Sequence, residues 1–323
     1  MSVNRSISKG AQLRGVWPAL FTPLKNDDPK RLRNSLDFDK AKLIIDDLIT
    51  EGVDGLVPVG TTGQSPTVSP EQHLDMIRFT VEYVNGRVPV IAGAGSNSTR
   101  ESVDMIQSIL KSCGDVAVLC VTGYYNNPPQ EGLAAHYETL SRETGAKIVM
   151  YNVPARTASY LEPDTLIRLA GDKNIIGLKQ AVDFRNPGKH RDDTAKVLEA
   201  TKGLDFGVVS GEDDGVAAMM ELGGAGVITA TGSIPEASRV FLKIVKAFSG
   251  GHAHEGRALQ SEVMAFVKLV FARKNPIPLG TFFNSPLFLP LVSVRETKGG
   301  EELEREILQF IREKAPLLGK YHK

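Results

Sequence analysis

Short apolar runs and longer amphipathic stretches take turns along the chain. Gly15–Phe21, closed by Thr22-Pro23, reads as a first strand. Gly55–Pro58, Val88–Ala92, Val116–Val121, Lys147–Tyr151, Ile175–Lys179, Phe206–Ser210 and Gly226–Ala230 are read as strands two to eight. The sixth, Ile175-Ile-Gly-Leu-Lys179, is too short for a helix and suits a strand buried on both faces of a parallel sheet. Between the strands lie helices. Asp39–Glu51 carries Ala41, Leu43, Ile44, Leu48 and Ile49 at helical spacing and stops at Gly52. Another helix starts at Ser69-Pro70-Glu71, an N-cap serine followed by proline. Thr99–Lys111, Glu131–Arg142, Glu162–Ala170, Asp214–Leu222 and Pro235–Phe248 are further helices.

Strand after strand followed by helix predicts a (β/α)8 TIM barrel over residues 13–250. A doubly wound open sheet is the competing architecture. It is disfavoured because no Gly-rich dinucleotide fingerprint opens the first unit, and Gly93-Ala94-Gly95 lacks the third glycine at the required offset. After the eighth unit the rhythm changes: a long helix over Glu255–Arg273, a break at Asn275-Pro-Ile-Pro278, an apolar stretch from Leu279 to Leu291 and a last helix over Glu301–Lys314. Residues 251–323 are therefore expected to form a C-terminal helical extension packed on the barrel. Residues 1–12 are expected to be a mobile leader. Asp183–Asp193, polar and containing Asn186-Pro187-Gly188, reads as a surface loop.

Composition changes this picture little. Thirty-eight basic and thirty-eight acidic residues cancel, which offers nothing to nucleic acid or an anionic membrane. The two cysteines, Cys113 and Cys120, form neither a disulfide framework nor a metal-ligand pattern. No apolar run suffices to cross a bilayer and the first residues lack a signal-peptide core, so a cytoplasmic location is expected.

The chemistry gathers at the carboxyl ends of the strands, where such barrels build their sites. Lys179 ends the sixth strand. Burial would depress its pKa and yield a neutral amine able to condense with a ketone, whereas a lysine that snorkels to solvent would be inert. Gly60-Thr-Thr-Gly-Gln-Ser65 after strand two offers free amides and hydroxyls to a small carboxylate, or is simply a capped turn. Gly123-Tyr-Tyr-Asn-Asn-Pro-Pro129 makes a rigid aromatic edge. Tyr151-Asn-Val-Pro-Ala-Arg156-Thr157 puts a phenol at a strand end and an arginine capable of bidentate carboxylate binding nearby.

Gly60-Thr-Thr-Gly63, Tyr124-Tyr-Asn126, Tyr151-Asn-Val-Pro154, Gly177-Leu-Lys179 and Gly223–Ile228 together resemble the pyruvate-dependent class I aldolase superfamily of dihydrodipicolinate synthase and N-acetylneuraminate lyase. The likeness runs from Phe21-Thr22-Pro23 to Asn275-Pro-Ile-Pro278. It implies a barrel with a helical extension, no cofactor or metal, and a homotetramer. It implies that Lys179 forms an imine with pyruvate and that Tyr151 moves protons over it. Thr62 and Tyr125 would complete a hydroxyl relay, Tyr125 reaching across a subunit interface. The Thr61-Thr62 loop would hold the pyruvate carboxylate, and Ile228 would pack near the imine. The neuraminate lyases commonly carry serine first in the Thr-Thr pair and lack the arginine, so Thr61 and Arg156 point to the dihydrodipicolinate synthase branch, with an aspartate-semialdehyde carboxylate held by Arg156. The alternatives are a lyase of sugar or hydroxy-keto acids and a silent keto-acid-binding barrel.

The chain departs from that pattern in places. Gln64 and Gln180 stand where glutamate is usual, Gly123 replaces a common proline, and Asn127 replaces a common arginine. The Asp183–Asp193 loop looks long, and Gly280-Thr-Phe-Phe283 is atypical. The positions that resemble the family's lysine-inhibition site read Ser65, His73, Asn97, Glu101 and Tyr124, with Pro70 where some sensitive members have histidine. Weak or no lysine inhibition is expected.

Overall fold

The computed structural model describes residues 13–322, and the leader expected over residues 1–12 lies outside the described residues. Seven parallel strands form one sheet in the order β1-β7-β6-β5-β4-β3-β2. They are β1 (Gly15–Pro18), β2 (Ile91–Gly93), β3 (Ala117–Val121), β4 (Ile148–Asn152), β5 (Ile175–Gln180), β6 (Gly207–Ser210) and β7 (Gly226–Thr229). Helices α1 (Phe38–Glu51), α2 (Pro70–Val84), α3 (Thr99–Cys113) and α4 (Gln130–Thr144) pack outside the sheet. The short α5 (Pro154–Thr157) and α6 (Pro163–Ala170) come after β4. Then come α7 (Lys189–Ala200), α8 (Val216–Glu221) and α9 (Pro235–Ser249). Ser69 caps α2 through a reciprocal capping box with Gln72, as its sequence signature predicts.

The expected second strand is the exception. At Gly55–Pro58 only single bridges form, Leu56 to Val90 and Val57 to Ala19, and no ladder strand results. The cause is proline. Pro18, Pro58 and Pro89 all lie on this seam and none can donate a backbone hydrogen bond. The segment still ties the two sheet edges together. Val57 N–H donates to Pro18 O and Leu20 N–H to Val57 O, each at 2.9 Å, while Ile91 N–H donates to Leu56 O at 2.9 Å. The cylinder is thus closed through this eighth segment.

Strand residues alternate between two cores. Leu13, Trp17, Val149, Tyr151, Ile176, Val209 and Ile228 fill the cylinder, while Ile148, Met150 and Leu178 face the helices. One irregularity decides which way Lys179 points. Ile148 pairs with Ile175 but Val149 pairs with Gly177, so Ile176 is an extra residue in β5. Ile176 faces inward, and without the bulge the period of two would turn Leu178 inward and Lys179 out to the helices. With it, Gly177 and Lys179 both face the interior.

Three sequence readings are corrected. The Asp183–Asp193 loop is shorter than expected because α7 begins at Lys189. The first turn of α7 is almost wholly charged and carries no apolar period. It is supported instead by ion pairs of Lys189 with Asp193 and Glu162 and by Tyr160 Oη donating to Asp193. The long C-terminal helix, α10 (Ala253–Val270), stops short of Arg273, which frees Phe271–Asn275 to run over the carboxyl end of the barrel. Finally, the prolines after it do not only break structure: α11 (Ile277–Phe282) carries proline in its first turn. With α12 (Gly300–Lys314), these helices share the outer core through Val263, Phe266, Phe282, Leu303 and Ile307. Among the described residues no helix is long and apolar enough to cross a membrane.

Leu13, fully buried, plugs the amino end of the cylinder against Gly177 and Gly207. A Cβ at Gly207 would lie 2.2 Å from the Leu13 carbonyl oxygen, and a backbone atom cannot swing aside. Gly207→Ala should therefore cost about 1–3 kcal/mol in urea unfolding, whereas the same change at Gly319, where a Cβ meets nothing and the backbone is not left-handed, should cost less.

Candidate active site

A cavity of about 600 Å³ opens at the carboxyl ends of the strands. Lys179 stands in it because of the extra residue in β5. Strand register sets Tyr151 beside Lys179 on one side and Val209 on the other. Lys179 is only 7% exposed, and its Nζ lies 4.4 Å from the centre of the Tyr151 ring. Burial pushes its pKa down to about 8, and the Arg156 charge works in the same direction. The nearby carboxyl groups of Asp213 and Glu212 only partly oppose the loss of solvent. A sizeable fraction of this amine is therefore neutral near pH 8, with the phenol face beside it.

Burial likewise pushes the Tyr151 phenol up to about 12, so at neutral pH it holds its proton and can donate it. Arg156 and the Thr61 side chain both act to lower that value. The threonine hydroxyl bonded to the Tyr151 phenol is that of Thr61. Thr62, expected in the relay, also lines the cavity, and its buried hydroxyl accepts from Asn275 Nδ2 at 3.0 Å. Both sit in the tight Gly60–Gln64 turn, in which Ser65 N–H returns to Gly60 O at 3.2 Å and Gln64 takes a positive φ of 61°. Among the described residues, the amides of Thr61, Thr62 and Gly63 donate to no protein acceptor, leaving a cradle for a carboxylate.

Arg156 lies in α5, whose start is set by Pro154. It lines the cavity mouth, and its Nη2 donates to Asn275 O at 3.1 Å. Among the described residues no carboxylate pairs with it, so its fork is open to an anion. Tyr125 is not brought to the cavity; it is 91% exposed. Ile228 sits in β7 inside the cylinder core and does not line the cavity. Of the residues resembling a lysine site, Ser65 and Tyr124 line the cavity. His73 is buried with Nε2 2.7 Å from Gly93 O, a packing role. Glu101 accepts from Ser96 Oγ at 2.6 Å, and Asn97 is half-buried.

Both unusual glutamines are required as amides. Gln180 Oε1 accepts from Asn152 Nδ2 at 2.9 Å, and its Nε2 donates to Thr194 Oγ1 at 3.2 Å. The Thr194 hydroxyl already donates to His190 O, so it can only accept. Gln64 Nε2 donates to Thr22 O while its Oε1 accepts from Phe288 N–H, both at 3.1 Å. A carboxylate would lose the donating half of each pair.

Sequence reasoning missed Glu212 and Asp213, which come directly after β6, and the role of Asn275. Three acids in a row after Gly211, at the end of a barrel strand, were the available signal for the first two. Asp213 is buried, and its Oδ2 accepts the Thr231 amide at 2.7 Å. Asn275 reaches the site from 119 residues beyond Arg156, and no local pattern announces that.

The family model described as the dihydrodipicolinate synthetase family matches residues 12–286. A relative from Methanococcus vannielii, named 4-hydroxy-tetrahydrodipicolinate synthase, is 40% identical over 273 residues, which span 84% of this chain and 88% of that protein. The crystal structure of dihydrodipicolinate synthase from Thermotoga maritima superposes with a TM-score of 0.82 at 34% identity, covering 92% of this chain and 98% of that one. The structure of the dihydrodipicolinate synthase from Acinetobacter baumannii complexed with pyruvate has a TM-score of 0.81 at 30% identity, covering 92% and 98%.

Two substitutions test this geometry. Gln180→Glu should lower unfolding free energy by about 1–3 kcal/mol, because it faces the Thr194 lone pairs and buries a charge. Lys179→Met should raise stability at pH 7 by about 1–3 kcal/mol. The folded pKa of Lys179 is depressed, so folding releases its proton and the burial cost is full below pH 8. That cost fades between pH 8 and 10.5, and the advantage of the methionine variant in thermal melts should fade with it.

Proposed function

The chain belongs to the dihydrodipicolinate synthetase family, whose members are pyruvate-dependent lyases of the class I aldolase type. From that premise we propose that it acts as a 4-hydroxy-tetrahydrodipicolinate synthase, condensing pyruvate with aspartate semialdehyde through a lysine imine. The observation that carries the reading is the Lys179 amine, buried, lowered to about pH 8 and seated 4.4 Å from the Tyr151 ring.

The steps derive from the residues. Neutral Lys179 attacks the C2 carbonyl of pyruvate while the amides of Thr61, Thr62 and Gly63 take its carboxylate. Loss of water leaves an iminium, which draws electrons from the adjacent methyl group. A methyl proton passes into the Tyr151–Thr61 hydroxyl pair, and the resulting enamine attacks the aldehyde carbon of the second substrate. Tyr151, with Thr61 beside it, donates a proton to the oxygen that develops charge. Arg156, at the mouth and unpaired by any carboxylate among the described residues, binds the carboxylate of the semialdehyde. The same reading carries a homotetramer in the cytoplasm. The exposure of Tyr125 outside its own cavity suits a residue that serves a neighbouring copy.

Borohydride added with pyruvate should fix a covalent adduct on Lys179, located by peptide mass spectrometry. Absence of the adduct would defeat the proposal. Arg156→Leu should leave that adduct intact while cutting kcat/KM for aspartate semialdehyde by about a hundredfold or more, in line with loss of a charge-assisted bidentate contact. Equal loss with aldehydes lacking a carboxylate would remove Arg156 from that role.

A further inference from the structure

The strip over the cavity mouth is anchored at both ends. Arg273 donates through Nε to Thr297 Oγ1 at 3.0 Å and through Nη2 to Lys298 O at 2.7 Å, which ties it to the turn before α12. Ile277 N–H donates to Lys274 O at 2.9 Å, which ties it to the start of α11. Asn275 is thereby set in the cavity wall, only 6% exposed. It meets the site through two different atoms. Its backbone oxygen accepts from Arg156 Nη2 at 3.1 Å, and its side-chain Nδ2 donates to Thr62 Oγ1 at 3.0 Å.

Stability does not account for this amide. Its Oδ1 is buried and meets no donor among the described residues. An unpaired buried acceptor is destabilising, so a residue needed only for packing would be better apolar. The one hydrogen bond that the side chain makes among the described residues goes to a hydroxyl, which has one proton and two lone pairs. The Asn275 N–H occupies a lone pair of Thr62 Oγ1, and the Thr62 proton goes to no protein acceptor among the described residues. Thr62 lines the cavity, in the same turn as the open amides of Thr61, Thr62 and Gly63. A hydroxyl that accepts one hydrogen bond is also a stronger donor for the next.

Resting on the Schiff-base reading, we propose that Asn275 is a positioning residue for the keto acid: its amide holds the Thr62 hydroxyl as a donor, and that hydroxyl completes the amide cradle for the pyruvate carboxylate.

The polarity follows from the groups on offer. Without Asn275, the Thr62 proton would turn to a carbonyl of its own loop, as threonine hydroxyls commonly do, and the carboxylate would meet lone pairs. With Asn275 in place, the carboxylate meets three N–H groups and one O–H, and the bond from the hydroxyl is charge-assisted. The two anion sites are served by separate atoms of one residue. The pyruvate site uses the Asn275 side chain. Arg156, which binds the second substrate, is held by the Asn275 backbone oxygen, and a side-chain substitution leaves that oxygen in place.

The test is the pyruvate concentration that half-saturates borohydride trapping on Lys179, measured together with the limiting trapping rate in the full-length protein. Asn275→Ala should raise the half-saturating concentration by about tenfold and change the limiting rate by less than about twofold, the split expected when only substrate binding is lost. Thr62→Val, which removes the hydroxyl, should have the same effect, and Thr62→Ser should restore most of the affinity. The double variant of Asn275→Ala and Thr62→Val should bind no worse than the weaker single variant, since both changes remove one donor. Asn275→Asp keeps the size of the residue. Its carboxylate would take the Thr62 proton for itself and repel the keto acid, so half-saturation should rise by about a hundredfold. In Asn275→Ala the KM for aspartate semialdehyde at saturating pyruvate should move by less than about threefold. Asn275→Ala or Asn275→Asp at the parent half-saturating concentration, or effects that multiply in the double variant, would overturn the positioning role while leaving the Schiff base standing. A parent protein that forms no adduct at all would overturn both.

Discussion

Everything at the carboxyl end of this barrel depends on keeping one ammonium group out of water. Lys179 is surrounded by the Tyr151 ring, the Gly211 backbone and cylinder side chains, and solvent does not compensate its charge. Such a group is destabilising in its charged form, and its pKa falls. Asp213 and Glu212 limit the fall, so the amine reaches a useful range near neutrality without becoming inert. The cost is borne by the rest of the fold, as is common for functional groups held against their solvation preference.

That environment needs a closed and rigid cylinder. Closure passes through Leu56-Val57, the weakest segment of the wall, where three prolines withhold donors. The interior cluster compensates by packing Leu13 and Trp17 at one end and the ring of Tyr151 at the other. Around the mouth, buried amides lock the loops. Gln64 joins the Thr22 turn to Phe288, Gln180 joins β4 to α7, and Asn275 joins the Thr61-Thr62 loop to Arg156. The C-terminal helices thereby act on the site directly, through a five-residue strip over its mouth.

Much of this was legible in the chain. The helices and seven of the strands are set by apolar spacing and by caps such as Ser69, within a residue or three of their ends. Lys179 and Tyr151 close buried apolar strands, and with Arg156 and the Thr61-Thr62 loop they stand out as a set, since each taken alone has a bland reading. Legibility failed where the pattern carried no information. The charged start of α7 looks like loop because side-chain ion pairs, not an apolar stripe, support it. Thr61 and Thr62 are indistinguishable until the turn is built. Tyr125 carries the right motif yet lies outside the cavity of its own chain.

Sequence alone determined the order of elements, the chemistry available at each strand end and the kinship of the chain, because these are written in local spacing and residue type. It did not determine which way Lys179 faces. That depends on one extra residue in β5, visible only when β4 and β5 are set side by side, since the period of two makes a single-residue slip exchange the two faces of a strand. Nor did it bring Glu212 and Asn275 to the wall of the lysine's cavity: they lie far along the chain, and only closure of the sheet and docking of the C-terminal strip put all three around one space.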